Sequence, residues 1–188
     1  MTGIVDYGVG NLFSLYSSLK YIGEETMIVS ETGQMASCDR IILPGVGAFG
    51  DAAKKLSESG MKEMLLDEVQ KGKPLLGICL GMQMLFEKSY EFGEYEGLGL
   101  IPGSVRPIRD VIDPTCKVPH IGWNTLSFPE GREKSQLFCD LDAGAYVYFV
   151  HSYAAMDCDG YVSAYTDYTA PLTAAAERGR VFGTQFPP

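Results

Sequence analysis

A cysteine between two glycines is the residue of this sequence best suited to covalent chemistry. Cys79 lies in the pentapeptide GICLG, where an apolar stretch meets a helical pattern. The pattern G-x-C-x-G is the thiol counterpart of the G-x-S-x-G nucleophile elbow, whose small residues let a strained turn close. We expect the sulfur at a helix N-terminus, which favours thiolate, and the Leu80 N–H near a developing oxyanion. The alternative is a small buried cysteine on a glycine-rich turn.

A second glycine loop follows another apolar stretch. Residues 44–49 read PGVGAF and come directly after RIIL. At the carboxyl end of a parallel strand, this loop would lie at the edge where such sheets hold their ligands. Its backbone N–H groups could complete an oxyanion hole for attack by Cys79, and the alternative is an ordinary turn between strand and helix.

The elements that would position these loops alternate along the chain. Strand patterns cover 3–7, 26–30, 40–45 and 73–79, and helical patterns cover 12–22 and 50–71 and begin again at 82–89. This alternation predicts an α/β fold with an open, mostly parallel sheet flanked by helices. After Gly97, short β-rich pieces predict extra strands that extend the sheet or pack on it, with 127–136 as an exposed loop. Because no repeat or linker is visible, we expect one domain over 1–188.

Composition excludes several classes of function. The 188 residues carry 24 acidic and 15 basic side chains, a net charge of −9, which argues against binding nucleic acid or an anionic membrane. The longest near-apolar run, 75–86, is too short to span a bilayer, and the N-terminus does not read as a signal peptide. We predict no metal site and no organic cofactor. The cysteines show no C-x-x-C pair and predict free thiols in the cytoplasm: Cys38, Cys79, Cys116, Cys139 and Cys158.

Five motifs together indicate a family. They are DYGVGN at 6–11, PGVGAF at 44–49, GICLGMQ at 77–83, PHIGWN at 119–124 and YFVHSY at 148–153. In this order they resemble the class I glutamine amidotransferases over nearly the whole chain. Within that family the chain is similar to the glutaminase subunits of imidazole glycerol phosphate synthase, an enzyme of histidine biosynthesis.

The resemblance implies a mechanism. Cys79 would attack the side-chain amide carbon of glutamine, release ammonia and hold a γ-glutamyl thioester until water cleaves it. The N–H groups of Leu80 and of the region around Val46 and Gly47 would form the oxyanion hole.

The resemblance also implies a substrate site and a partner. The amino-acid end of glutamine would be held by Gln83 and by the backbone around Ser152 and Tyr153. Such subunits form a heterodimer with a (β/α)8-barrel cyclase, through which ammonia reaches a phosphoribosyl-aminoimidazole substrate. Three segments would face that partner, those around Asn11, His120 and Trp123.

The sequence departs from the family near residue 187. Members carry a Gln-Phe-His-Pro-Glu stretch, whose histidine and glutamate complete a Cys-His-Glu triad. Gln185 and Phe186 match, but Pro187 stands where the histidine is expected, and the expected glutamate and last helix are missing after Pro188. Proline cannot accept the thiol proton, and a general base contributes about 10²–10⁴-fold. We therefore expect impaired hydrolysis.

Three functions stay open at this stage. The first is a glutamine-hydrolysing subunit, and the second is a module of the same fold that binds a partner without hydrolysis. The third is an unrelated α/β cysteine hydrolase, which Gln83, HIGWN and HSY disfavour because an elbow alone does not need them. Of the two histidines, His151 is the better substitute base, and the alternative for both His120 and His151 is an ordinary packed or interface role.

Overall fold

Short apolar segments from the first half of the chain form most of the parallel sheet in the computed structural model, which describes residues 1–188. These are β1 (Thr2–Val5), β2 (Thr26–Val29), β3 (Arg40–Leu43) and β4 (Leu75–Ile78). The side chains of β1, β3 and β4 are mostly buried, as expected for strands covered on both faces. All four strands lie where the sequence predicted them, with ends differing by one or two residues.

Three helices flank these strands. They are α1 (Leu12–Tyr21), α2 (Phe49–Glu58) and α3 (Met61–Gln70). The prediction of one helix over 50–71 was wrong, because the chain breaks at Gly60, whose φ is +71°. Glycine adopts this left-handed conformation without steric cost, so it ends one helix and allows the next to start in a new direction.

The predicted helix at 82–89 is also wrong. Instead α4 (Leu80–Gln83) ends after one turn, and β5 (Phe86–Ser89) follows. The carbonyl of Met84 accepts the N–H of Leu98 at 2.8 Å, and the carbonyl of Leu85 accepts those of Leu100 and Ile101 at 2.9 and 3.0 Å. A neighbouring segment therefore satisfies the carbonyls that a further helical turn would have used.

The second half of the chain is almost entirely β structure, as predicted. Its strands are β6 (Tyr95–Glu96), β7 (Ile101–Pro107), β8 (His120–Thr125), β9 (Tyr146–His151), β10 (Tyr153–Met156), β11 (Val162–Asp167), β12 (Pro171–Arg178) and β13 (Val181–Thr184). The main sheet has the order β11-β12-β13-β4-β3-β1-β2, in which β13 runs parallel to β4 and the β11–β12 pair is antiparallel. A four-stranded sheet, β10-β7-β5-β6, and the two-stranded β8–β9 ribbon complete the strands.

The strand order gathers three loops at one edge of the main sheet. Strands β3, β4 and β13 are parallel neighbours, so the segments after Leu43, Ile78 and Thr184 leave the sheet side by side. The carboxyl edge of a parallel sheet is where such folds hold ligands. No helix is both long and apolar enough to cross a membrane.

Candidate active site

Cys79 occupies a strained turn between β4 and α4. Its φ is +57°, a value that residues with a Cβ seldom adopt, and its N–H donates to the carbonyl of Thr184 at 2.7 Å. The bond to the last residue of β13 fixes the turn from the side of the sheet. This is the strand-to-helix elbow that the sequence predicted.

Two glycines make the turn possible. A Cβ on Gly77 would lie 2.6 Å from the carbonyl oxygen of Gly81, and a Cβ on Gly81 would lie 1.9 Å from the carbonyl oxygen of Leu43. Both obstacles are backbone atoms, which cannot rotate away. The G-x-C-x-G spacing is therefore a steric requirement of this elbow.

The thiol is less acidic than the sequence led us to expect. Burial raises the pKa of Cys79, and a hydrogen bond from the Leu80 N–H lowers it by a smaller amount. The helix α4 has four residues, too few for a substantial dipole at the sulfur. At neutral pH the thiol is therefore mostly protonated, and attack by Cys79 requires a base.

Cys79 faces a cavity of about 360 Å³ at the edge of the sheet. The 44–49 loop, the elbow and the segment joining β9 to β10 form its walls. Seven residues singled out from the sequence line it together: Val46, Gly47, Cys79, Leu80, Gln83, Ser152 and Tyr153.

Hydrogen bonds connect the walls of this cavity. The amide nitrogen of Gln83 donates to the carbonyl of Tyr153 at 3.2 Å and to Oε1 of Gln185 at 2.9 Å. The amide nitrogen of Gln185 lies 3.9 Å from the sulfur of Cys79. Gln83 therefore joins the elbow to both the β9–β10 corner and the segment after β13.

Glu91 is a cavity residue that the sequence reasoning missed. Its carboxylate accepts the N–H of Phe49 at 2.6 Å, at the first turn of α2, and the residue also lines the cavity. A helix covering 82–89 would have carried Glu91 elsewhere, so the wrong helix prediction concealed it. The turn residues that follow β5 were the sequence signal that could have placed Glu91 near the cavity.

His151 lines the cavity but does not offer Cys79 a base. Its Nδ1 lies 2.9 Å from the carbonyl of Tyr153, and its Nε2 lies 3.1 Å from Nδ1 of His120. Both ring nitrogens are therefore occupied. Burial lowers the pKa of His151 to about 4, so the ring is neutral at physiological pH.

A second cavity of about 240 Å³ also reaches Cys79. Pro187 lines it together with Asn11, which caps α1, and with Ser14 and Ser18 of α1. Pro187 and Cys79 thus line the same cavity, and Pro187 has no group that accepts a proton.

The residues expected to face a partner are placed differently from one another. Asn11 is exposed and caps α1, its side-chain oxygen accepting the N–H of Ser14 at 3.2 Å. Trp123 is 69% exposed, whereas His120 is only 3% exposed. Successive residues of a strand point to opposite faces, so the His120 side chain points inward while its neighbour Ile121 is exposed; that the segment faces a partner stays a prediction.

The side of the β8–β9 ribbon that carries Trp123 is exposed and apolar. Trp123 packs edge to face on Tyr148 of β9, with ring centroids 5.7 Å apart. We call this side the outer face of the ribbon, and it consists of Ile121, Trp123, Tyr146, Tyr148 and Val150.

Comparison with known proteins gives concordant results. Residues 3–188 match the family described as glutamine amidotransferase class-I. The chain is 46% identical over 187 residues to the imidazole glycerol phosphate synthase subunit HisH of Wolinella succinogenes, covering 98% of this chain and 90% of that protein. It is 46% identical to the same subunit of Carboxydothermus hydrogenoformans, covering 100% of this chain and 91% of the other.

A solved structure supports the fold. The crystal structure of a glutamine amidotransferase superposes with a TM-score of 0.75 at 19% identity, covering 98% of this chain and 88% of that one. The PurLQS structure from Thermotoga maritima superposes with a TM-score of 0.70 at 20% identity, covering 97% of this chain and 84% of that one.

The elbow geometry makes a prediction about Gly81. We expect Gly81→Ala to lower the free energy of unfolding by at least about 3 kcal/mol, because the new Cβ would collide with the Leu43 backbone. Urea denaturation measures this change. Gly33→Ala is the control, since a Cβ there meets no atom within 4 Å, and its effect should stay within about 1 kcal/mol. Equal effects of the two substitutions would contradict the close approach.

Proposed function

The chain belongs to the class-I glutamine amidotransferase family, and from this premise we propose that it is the glutaminase subunit of an imidazole glycerol phosphate synthase in histidine biosynthesis. Its reaction is the hydrolysis of glutamine to glutamate and ammonia. The observation that carries the proposal is the elbow: Cys79 opens into the same cavity as Gln83, Ser152 and Tyr153.

Cys79 is the proposed nucleophile. The thiol loses its proton, and the sulfur attacks the side-chain amide carbon of glutamine. The carbonyl oxygen becomes an oxyanion, for which the N–H groups of Leu80, Val46 and Gly47 are the proposed donors. The carbon–nitrogen bond then breaks, ammonia leaves with the added proton, and water cleaves the γ-glutamyl thioester to glutamate.

The amino-acid end of glutamine would bind on the opposite wall. Gln83 and the backbone at Ser152 and Tyr153 are the proposed contacts. The carboxylate of Glu91 lines the same cavity and is suited by its charge to the substrate's ammonium group. These roles leave the elbow free for the amide.

The missing base supports a second candidate, a module that binds glutamine and a partner without hydrolysis. Pro187 has no ionisable side chain, and both nitrogens of His151 are engaged. Because burial raises the pKa of Cys79, the thiol does not ionise readily without help. For this second candidate the chain binds glutamine and does not hydrolyse it, whereas the first proposal, without a base beside Cys79, predicts slow hydrolysis.

The proposed partner is a (β/α)8-barrel cyclase, which would accept the ammonia and form a heterodimer with this chain. The outer face of the ribbon supports an interface, because exposed aromatic clusters of this kind are unusual on surfaces without a partner. The relatives are themselves named as subunits. The free cysteines and the biosynthetic role of the relatives support a place in the cytoplasm.

Two predictions test the proposed function, and the first concerns Pro187. We expect Pro187→His, in a version continued by the glutamate of the family pattern, to raise glutamine hydrolysis about 10²–10⁴-fold in the presence of the cyclase. The physical reason is that an imidazole beside Cys79 takes the thiol proton and returns it to ammonia. Glutamate release is the measurement.

The matched control is Pro187→Ala in the same continued version, with Cys79→Ala as the blank. Alanine should leave hydrolysis at the level of the unaltered chain. Equal rates for the histidine and alanine versions would mean that another group acts as the base. Hydrolysis by neither, with glutamine bound, would contradict the glutaminase function.

The second prediction concerns the partner. We expect Trp123→Ala to weaken binding of the cyclase by at least about 2 kcal/mol, since exposed aromatic side chains at the centre of an interface dominate its affinity. Titration calorimetry gives the affinity. Tyr21→Ala is the control, because Tyr21 is 93% exposed at the other end of α1 from Asn11. A loss caused by Tyr21→Ala and not by Trp123→Ala would move the interface elsewhere.

A further inference from the structure

Two buried histidines connect the β8–β9 ribbon to the wall of the cavity. Nδ1 of His120 lies 3.1 Å from Nε2 of His151, across the first residue pair of the ribbon. Both side chains are buried, and the mechanism proposed above uses neither. Because each ring nitrogen either donates or accepts, the contact has a definite direction.

The groups at the two ends of this contact determine that direction. Nδ1 of His151 faces the carbonyl of Tyr153 at 2.9 Å, and a carbonyl only accepts, so this nitrogen carries the proton. In a neutral ring, Nε2 of His151 must then accept. The proton between the two rings therefore sits on Nδ1 of His120.

The groups around Nε2 of His120 independently place the proton on Nδ1 of the same ring. The side-chain oxygen of Asn124 accepts the N–H of Thr125 at 2.8 Å, so its amide nitrogen is the atom that faces His120, at 3.4 Å from Nε2. The same nitrogen donates to the carbonyl of Asp167 at 2.7 Å. An amide nitrogen only donates, so Nε2 of His120 accepts and Nδ1 carries the proton.

Aromatic packing holds the first ring in this orientation. His120 stacks on Phe149 with ring centroids 5.0 Å apart and an interplanar angle of 20°. It also stacks on Tyr168, with ring centroids 4.2 Å apart and an interplanar angle of 25°. Turning the His120 ring over would disturb both contacts.

The chain of hydrogen bonds from Asn124 through His120 and His151 ends on the carbonyl oxygen of Tyr153, in the proposed substrate site. The carbonyl of Tyr153 accepts both from Nδ1 of His151 and from the amide of Gln83, at 2.9 and 3.2 Å. Gln83 in turn donates to Gln185, whose amide lies next to Cys79. A shift of His151 would therefore displace the corner that holds the amino-acid end of the substrate.

We propose that His120 and His151 are positioning residues, which fix the Tyr153 carbonyl and so couple the geometry of the β8–β9 ribbon to glutamine binding. This inference rests on the proposed function, since it takes glutamine as the ligand of the cavity. Neither ring touches the reacting atoms. Each acts through the next, and the direction Asn124 to His120 to His151 to Tyr153 is the only one that all four groups satisfy.

Two substitutions of matched shape separate positioning from packing. His151→Asn keeps an N–H donor at the place of Nδ1. His151→Leu introduces a side chain of nearly the same shape as asparagine, but without a donor. In a Cys79→Ala background, which prevents turnover, we expect His151→Leu to raise the Kd for glutamine about tenfold, because it leaves a buried carbonyl with one partner fewer. His151→Asn should stay within about threefold of the parent. Titration calorimetry with glutamine measures both.

Stability serves as the internal reference. Both variants remove the same ring, so a purely structural role would lower both melting temperatures alike and change both Kd values alike. That result would overturn the proposal. A parent chain that does not bind glutamine would overturn the proposed function instead, and with it the assignment of the ligand.

Nitrogen NMR tests the link without any ligand. Two-bond proton–nitrogen spectra of the unaltered chain distinguish the two neutral tautomers of a histidine. We expect both His120 and His151 to carry the proton on Nδ1. A proton on Nε2 of either ring would overturn the proposal, whatever the chain binds.

Discussion

The contact between the ends of two neighbouring strands determines the geometry of the whole site. After β4 the chain turns so tightly that Gly81 lies against the carbonyl of Leu43, where a Cβ would come within 1.9 Å of the oxygen. The loop after β3 is therefore pressed on the elbow. The hydroxyl of Tyr7 donates to the carbonyl of Pro44 at 2.7 Å and holds this loop from the side of β1. The proposed nucleophile and the loop that carries proposed oxyanion donors are thus positioned by the sheet itself.

The site has the polar groups that the proposed binding of glutamine needs, but Pro187, at the proposed position of the base, has no group that accepts a proton. The cavity has an elbow, a fixed polar wall at Gln83 and Tyr153, and a carboxylate at Glu91. Burial, which shapes this cavity, also raises the pKa of Cys79 and so increases the need for a base. Pro187 cannot supply it, and the two buried histidines are engaged with one another. Binding and chemistry therefore depend on different parts of the chain.

The sequence predicted those parts of the site that depend on local turns and strand order. The elbow and the 44–49 loop each follow an apolar strand. Because parallel strands end at the same edge of a sheet, the proximity of the elbow to this loop could be predicted. The break at Gly60 was missed because the apolar pattern continues through it, although a glycine at that place is a signal for the end of a helix. The position of Glu91 depends on β5, and the inward orientation of the His120 side chain depends on which face of β8 is buried. Both are decided by pairing with distant segments, which a single sequence does not contain.

A reactive glutamine analogue would show whether Cys79 is a nucleophile in a glutamine site. An analogue with a diazoketone in place of the amide should alkylate Cys79 and none of the other four thiols. Because burial raises the pKa of Cys79 above that of an ordinary thiol and only the thiolate attacks, the rate should rise with pH and should still be rising at the pH where an exposed thiol is half ionised. Free glutamine should protect the residue. If peptide mass spectrometry finds Cys79 unmodified, or modified at a rate that glutamine does not lower, then Cys79 is not the nucleophile of a glutamine site.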